Sequence, residues 1–231
     1  MTALYANPVF CALDTADLAQ AVRIVRQVRG DVGGLKLGME AFYALGRSGY
    51  ETIAGEGLPI FLDLKLHDIP NTVAGAVRAL RPLAPAILNV HATGGRAMMR
   101  AAAEAAGGMF RIIAVTVLTS LDDTDLRAQS IAAGAHEHAL RLAEEARAAG
   151  LDGVVCSAHE AGEIKRRCGA EFLTVVPGIR PAGSAAGDQK RVLTPAAARA
   201  GGADILVIGR PITEAADPAA AARDIALSLA A

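Results

Sequence analysis

Eight short apolar runs recur along this 231-residue chain, at Val9–Leu13, Gly34–Leu37, Ile60–Leu66, Ile87–Val90, Ile112–Leu118, Gly153–Cys156, Leu173–Val176 and Ile205–Ile208. They are continuous rather than alternating, the pattern of strands covered on both faces in a parallel sheet. Helix-like segments lie between them. Asp17–Arg29 stops at Gly30, a segment that Asn71 or Thr72 can cap ends before Pro82, and His136–Ala149 stops at Gly150. Thr194-Pro195 and Asp217-Pro218 each set a capping side chain before a proline at the first helical position. This alternation runs on without a linker, so it predicts one α/β domain over 1–231, a closed (β/α)8 TIM barrel. A doubly wound open sheet is the alternative, weakened because no Gly-x-Gly-x-x-Gly follows the first run.

Composition narrows the class of function. With 23 Lys+Arg against 24 Asp+Glu and a net charge of -1, no basic excess is present to attract nucleic acid or an anionic membrane. The absence of Trp removes the best base-stacking side chain. An apolar content of 52% supports a large core and argues against disorder. Cys11, Cys156 and Cys168 are odd in number and lack zinc-site spacing. Met1–Phe10 lacks the features of an export signal, and Ile112–Leu118 is too short to cross a bilayer, so a soluble cytoplasmic protein is expected.

Barrel enzymes build their sites where strands end, and polar residues collect there. Asp14 follows the first run, Lys36 lies in the second, Asp63, Lys65 and Asp68 end the third, and His91 follows the fourth. Thr119 and Ser120 follow the fifth, Arg180 the seventh, and Gly209-Arg210 the eighth. Alternation puts Asp63 and Lys65 on one side of a strand and Leu64 and Leu66 on the other. An Asp–Lys pair on an exposed edge strand is the ordinary explanation of such spacing. Here Ile60-Phe61-Leu62 and Leu64/Leu66 indicate that both faces are covered, which turns the charges toward the barrel mouth. Ions there must be paired, since burying each one alone costs several kcal/mol, roughly. An alternating set of Lys36, Asp63, Lys65 and Asp68 keeps every member charged.

The run Asp63-Leu64-Lys65-Leu66-His67-Asp68-Ile69-Pro70-Asn71-Thr72 resembles the third-strand signature of the orotidine 5′-phosphate decarboxylase family. Ala12-Leu13-Asp14, Lys36-Leu37-Gly38, Val117-Leu118-Thr119-Ser120, Val176-Pro177-Gly178-Ile179-Arg180, Gly187-Asp188-Gln189-Lys190-Arg191 and Ile208-Gly209-Arg210-Pro211 extend the resemblance over nearly the whole chain. It implies decarboxylation of orotidine 5′-monophosphate to UMP without cofactor or metal. Asp14 and Lys36 would contact the ribose, Asp63 would lie against the substrate carboxylate, and Lys65 would protonate pyrimidine C6. Asp68, Ile69 and Thr72 would come from the partner subunit of a homodimer. Thr119 and Ser120 would meet the pyrimidine amide edge, with Pro177 also at the substrate. Gln189, Gly209 and Arg210 would hold the phosphate, with Arg180 near a mobile lid at about 181–190 that is rich in Gly and Ala.

Two rivals follow from the same residues. The Asp-x-Lys-x-x-Asp pattern also resembles hexulose-phosphate synthases and keto-gulonate-phosphate decarboxylases, which use Mg²⁺ and a metal-ligating acid on the second strand. This chain has Lys36 there, which repels a divalent cation, although Glu40 is close in sequence. A non-catalytic phosphate-binding barrel would keep Gln189, Gly209 and Arg210 but has no need of Lys36, Asp63, Lys65 and Asp68 together. His136-Glu137-His138 does not have the spacing of a shared helix face, and Arg166-Arg167 reads as a solvated helix surface. His67 and His91 read as structural histidines, and Met98-Met99 as packing.

Overall fold

Strands β1 (Val9–Leu13), β2 (Gly34–Gly38), β3 (Ile60–Leu66), β4 (Ile87–His91), β5 (Arg111–Val115), β6 (Gly153–Val155), β7 (Leu173–Val176) and β8 (Ile205–Ile208) each pair in parallel with the next. β8 closes onto β1, making the TIM barrel that the alternation predicts. The computed structural model describes residues 5, 7–181 and 193–229, so Gln189 and nearly all of the expected lid lie outside the described residues. Around the barrel run α1 (Leu18–Val28), α2 (Met39–Ala54), α3 (Pro70–Leu80), α4 (Gly95–Ala106), α5 (Asp123–Ala128), α6 (Ala135–Ala148), α7 (Ala158–Cys168), α8 (Pro195–Ala200), α9 (Arg210–Thr213) and α10 (Pro218–Leu227). Among the described residues, no helix is long and apolar enough to cross a membrane.

Local chemistry sets most helix starts. Asp17 Oδ1 accepts from Gln20 N at the head of α1, Thr194 Oγ1 from Ala197 N at α8, and Asp217 Oδ1 from Ala220 N at α10. The start of α3 differs from expectation. Its N-cap is Ile69 with no side-chain cap, and Pro70 occupies the first helical turn, leaving Asn71 and Thr72 inside the helix. The fifth strand is also shorter than its apolar run. Thr116 gives both its N–H and its hydroxyl to Val155 O, and the chain leaves the sheet at Val115 to carry Val117–Ser120 to the barrel mouth.

Side chains divide by strand parity. Val9, Cys11, Leu13, Leu35, Leu37, Leu62, Leu64, Leu88 and Val90 belong to the layer between barrel and helices. Phe10, Phe61, Ile87, Ile113, Leu173, Val175, Ile205 and Val207 fill the interior. Tyr5 stacks edge-on against Phe10 with centroids 5.0 Å apart, closing the end where the strands begin. A Cβ on Gly34 would lie 2.5 Å from Phe10 Cζ, so the ring occupies the space a side chain there would need.

Gly153 makes a stricter demand. It lies level with Ile113 and Leu173, and a Cβ there would sit 2.3 Å from the backbone oxygen of Leu173, which is fixed in the sheet. We predict that Gly153→Ala destabilises the barrel by about 1–3 kcal/mol, as overpacking of a filled core does. A lowered urea midpoint at unchanged slope is the expected observation.

Candidate active site

Inward-facing positions turn from apolar to charged toward the ends of β1, β2 and β3. Lys36 stands level with Ala12 on one side and Phe61 on the other, and Asp63 stands beside Gly38. Lys36 Nζ lies 2.8 Å from Asp14 Oδ1 and 3.6 Å from Asp63 Oδ2, and Lys65 Nζ lies 2.7 Å from Asp63 Oδ1. The result is a continuous chain of alternating charge, Asp14–Lys36–Asp63–Lys65. Lys36 and Asp63 are buried, at 9% and 8% exposure, so this array is screened far less than a surface pair. Gly38 leaves room for it, since a Cβ there would come within 2.9 Å of Lys36 Nζ and 3.2 Å of Asp14 Oδ1.

Burial works to raise the pKa of the Asp63 carboxyl. The charges of Lys36 and Lys65, with hydrogen bonds from Lys65 and Asn89, outweigh it and hold the group below its ordinary value. Burial lowers the pKa of His91, helped by the charges of His67 and Lys65 and opposed by Asp63. The His67 and His91 rings lie 5.5 Å apart, and neither lines the cavity.

Strand β3 is irregular where it carries Lys65. Leu62 faces Leu88 and Leu66 faces Val90, so four steps along β3 match two along β4. Lys65 itself adopts φ 51, a left-handed conformation that costs a residue with a Cβ about 1–2 kcal/mol. Its N–H donates to Asn89 Oδ1 at 2.8 Å, and Asn89 Nδ2 donates to Asp63 Oδ1 at 2.7 Å. Sequence reasoning missed Asn89, although an amide amid Ile87, Leu88 and Val90 is itself the signal.

Loops complete a cavity of about 340 Å³ over this array. Thr119 and Ser120 enter from beyond β5, Pro177, Gly178 and Arg180 from beyond β7, and Gly209 and Arg210 from beyond β8. Ala12, Phe61, Val115, Val155 and Val207 form its apolar wall. Gly209 lies beside Ala12 and Asp14: a Cβ there would make ordinary contact, 3.4 Å from Ala12 Cβ and 3.7 Å from Asp14 Oδ2.

Other residues singled out from the sequence lie elsewhere. Asp68, Ile69 and Thr72 are exposed and do not line the chain's own cavity, and Asp68 Oδ1 accepts from Ile69 N. Glu40, in the first turn of α2, is exposed and outside the cavity. His136 pairs with Glu163 and Glu137 with Arg141, while Arg166 and Arg167 both reach Glu163 on the outer surface.

A family model described as orotidine 5′-phosphate decarboxylase / HUMPS family matches residues 7–225. The chain belongs to this family. It is 56% identical to an orotidine 5′-phosphate decarboxylase of Novosphingobium aromaticivorans over 96% of this chain and 99% of that one. The enzyme of that name from Rhodospirillum rubrum is 55% identical, covering 98% and 95%. Among solved structures, orotidine 5′-phosphate decarboxylase from Lactobacillus acidophilus superposes with a TM-score of 0.85 at 39% identity, covering 97% of this chain and all (100%) of that one. The chain is thus an enzyme of the orotidine 5′-phosphate decarboxylase type.

The depressed Asp63 carboxyl carries a stability consequence. A group whose pKa is lower folded than unfolded adds stability that is full above its unfolded value, here 3.8, and is lost as pH falls through the folded one. We therefore expect urea unfolding of the wild type to weaken more steeply below pH 3.8 than that of Asp63→Asn. Parallel curves for the two proteins would contradict this account of the site.

Proposed function

We propose that this chain carries out its family's reaction, the decarboxylation of orotidine 5′-monophosphate to UMP and CO2, by electrostatics alone, without metal or cofactor. The observation that supports this most directly is the Lys65 ammonium, 2.7 Å from a buried carboxylate and lining the cavity. Loss of CO2 from C6 leaves an electron pair in an sp² orbital with no adjacent sink. A cation fixed in advance beside that orbital needs no reorganisation when charge develops. At about 4 Å and an effective dielectric of about 20, such a contact contributes roughly 4 kcal/mol. That is less than the 8–23 kcal/mol typical of enzymes, so the rest must come from positioning and exclusion of water. In this reading Lys65 stabilises the carbanion and then protonates it. Lys36 and Asp63 hold Lys65, and Asp14 with Lys36 receives the ribose. Asp63 beside the substrate carboxylate adds ground-state repulsion.

Thr119 and Ser120 meet the pyrimidine amide edge, with Pro177 alongside. Gly209 and Arg210, with Arg180 nearby, receive the phosphate, and Gln189 is assigned to the same group. The apolar wall of Val115, Val155 and Val207 suits a departing CO2, which gains nothing from hydrogen bonds. Lys36 occupies the second-strand position where a Mg²⁺-dependent relative needs an acid, and Glu40 lies outside the cavity. We expect Lys65→Ala to abolish turnover while UMP binding, measured by calorimetry, stays near wild type. Turnover of orotidine 5′-monophosphate, followed by absorbance, is expected to be unchanged in EDTA. Residual turnover close to wild type in Lys65→Ala would contradict the assignment.

We also propose a homodimer in which Asp68, Ile69 and Thr72 complete the partner's site. Ile69 is 67% exposed at the end of β3, and Met39 and Tyr43, just past the neighbouring β2, are 43% and 69% exposed. Apolar side chains of this size at one rim suit a self-complementary contact. Mixing inactive Asp68→Ala with inactive Lys65→Ala tests the arrangement. Random exchange of subunits restores one intact site per mixed dimer, about a quarter of wild-type activity overall. No recovery would place Asp68 in its own subunit's chemistry. The three buried, separate thiols suit the reducing cytoplasm, where we place the enzyme.

A further inference from the structure

We infer that Asn89 is a positioning residue: one buried amide holds both the left-handed backbone of Lys65 and the carboxylate of Asp63, and so aims the ammonium. The inference rests on the reading of Lys65 as the group that meets the reacting carbon.

Asn89 faces the bulge in β3, between the Leu88 and Val90 positions where the two strands are in register. A regular ladder would offer backbone carbonyls to the N–H groups of β3. At Lys65 the acceptor is a side chain, Asn89 Oδ1, at 2.8 Å. The other end of the same amide donates to Asp63 Oδ1 at 2.7 Å. These two partners dictate how the amide lies, since only oxygen can accept from the N–H and only nitrogen can donate to the carboxylate. Asn89 is 0% exposed, so water cannot replace either contact. Asp63 Oδ1 also takes the Lys65 ammonium, so amide, carboxylate and ammonium close a ring that starts and ends at Lys65. A side chain that only filled space would not need one donor and one acceptor at these two places.

A protonated carboxylic acid is the one near-isostere that supplies both. An ionised one supplies two acceptors and sets a second negative charge against Asp63. Asn89→Asp should therefore work only when the carboxyl pair retains a proton, and two carboxylates in contact raise one of their pKa values. The charged or titratable groups facing this point are Asp63 and Lys65 on β3, Lys36 on β2 and His91 on β4, while the β5 register partner of Asn89 is the apolar Ile113. All are shared with the wild type, so the ratio of variant to wild-type kcat isolates the new carboxyl.

The experiment measures kcat and KM for orotidine 5′-monophosphate from pH 4.5 to 8, with UMP affinity, for wild type, Asn89→Ala, Asn89→Asp and Lys65→Ala. We expect kcat of Asn89→Ala to fall about tenfold to a hundredfold, the scale of a misplaced reacting group, with KM and UMP affinity within about threefold. The Asn89→Asp ratio should climb as pH falls. Wild-type kcat in Asn89→Ala, or a flat Asn89→Asp ratio, would overturn the inference. Should Asn89→Ala not fold, the Asn89→Asp ratio decides alone. An active Lys65→Ala would bring down the underlying reading as well, whereas an inactive Lys65→Ala beside a normal Asn89→Ala would bring down only this inference.

Discussion

The Asp63 carboxylate is the point on which the site depends. Buried and ionised, it persists because Lys36 from β2, Lys65 from its own strand and Asn89 from β4 all face it, while Asp14 beyond β1 balances Lys36. Three adjacent strands are thereby tied through one group, and Asp14 joins the end of β1 to it through Lys36. Removing either lysine leaves negative charge in excess in a poorly solvated place, which costs several kcal/mol, roughly, while the intact array stays neutral. The arrangement is therefore stable only when it is also correctly aimed, and fold and chemistry draw on the same contacts.

Much of this was legible in the sequence because strand parity is a strong rule. The apolar runs marked every strand, and the two-residue spacing of Asp63 and Lys65 brought both to one side. The rule succeeded for a reason it does not contain, since Lys65 lies in a bulge with φ 51 and its direction comes from Asn89 rather than from simple alternation. A long-range partner of that kind has no local signature beyond one amide in an apolar strand. The fifth run misled because Val117 and Leu118 are apolar for a different purpose: they line the cavity rim instead of continuing β5. At α3, Pro70 presets the first turn, so the capping chemistry of Asn71 and Thr72 is not needed. Asp68 illustrates another limit: assigned to the partner's site in the proposed dimer, it is exposed and outside the cavity of its own chain.

The elements divide their labour. Strands hold Lys36, Asp63 and Lys65 of the charged array, whereas the described residues assigned to pyrimidine and phosphate lie beyond the ends of β5, β7 and β8. Electrostatic stabilisation relies on charges that do not move as the reaction proceeds. Recognition of a departing nucleotide tolerates, and benefits from, groups carried on connections.

The plug of Phe10 beneath the site, with Tyr5 below it and Gly34 yielding space beside it, makes the barrel a cul-de-sac. Among the described residues that packing leaves the mouth as the way in and out, so gas and nucleotide share one door. On the proposed reading of the site, the smaller product forms behind the larger one, against the valine wall, so the order of exit is a matter of plumbing before it is a matter of affinity.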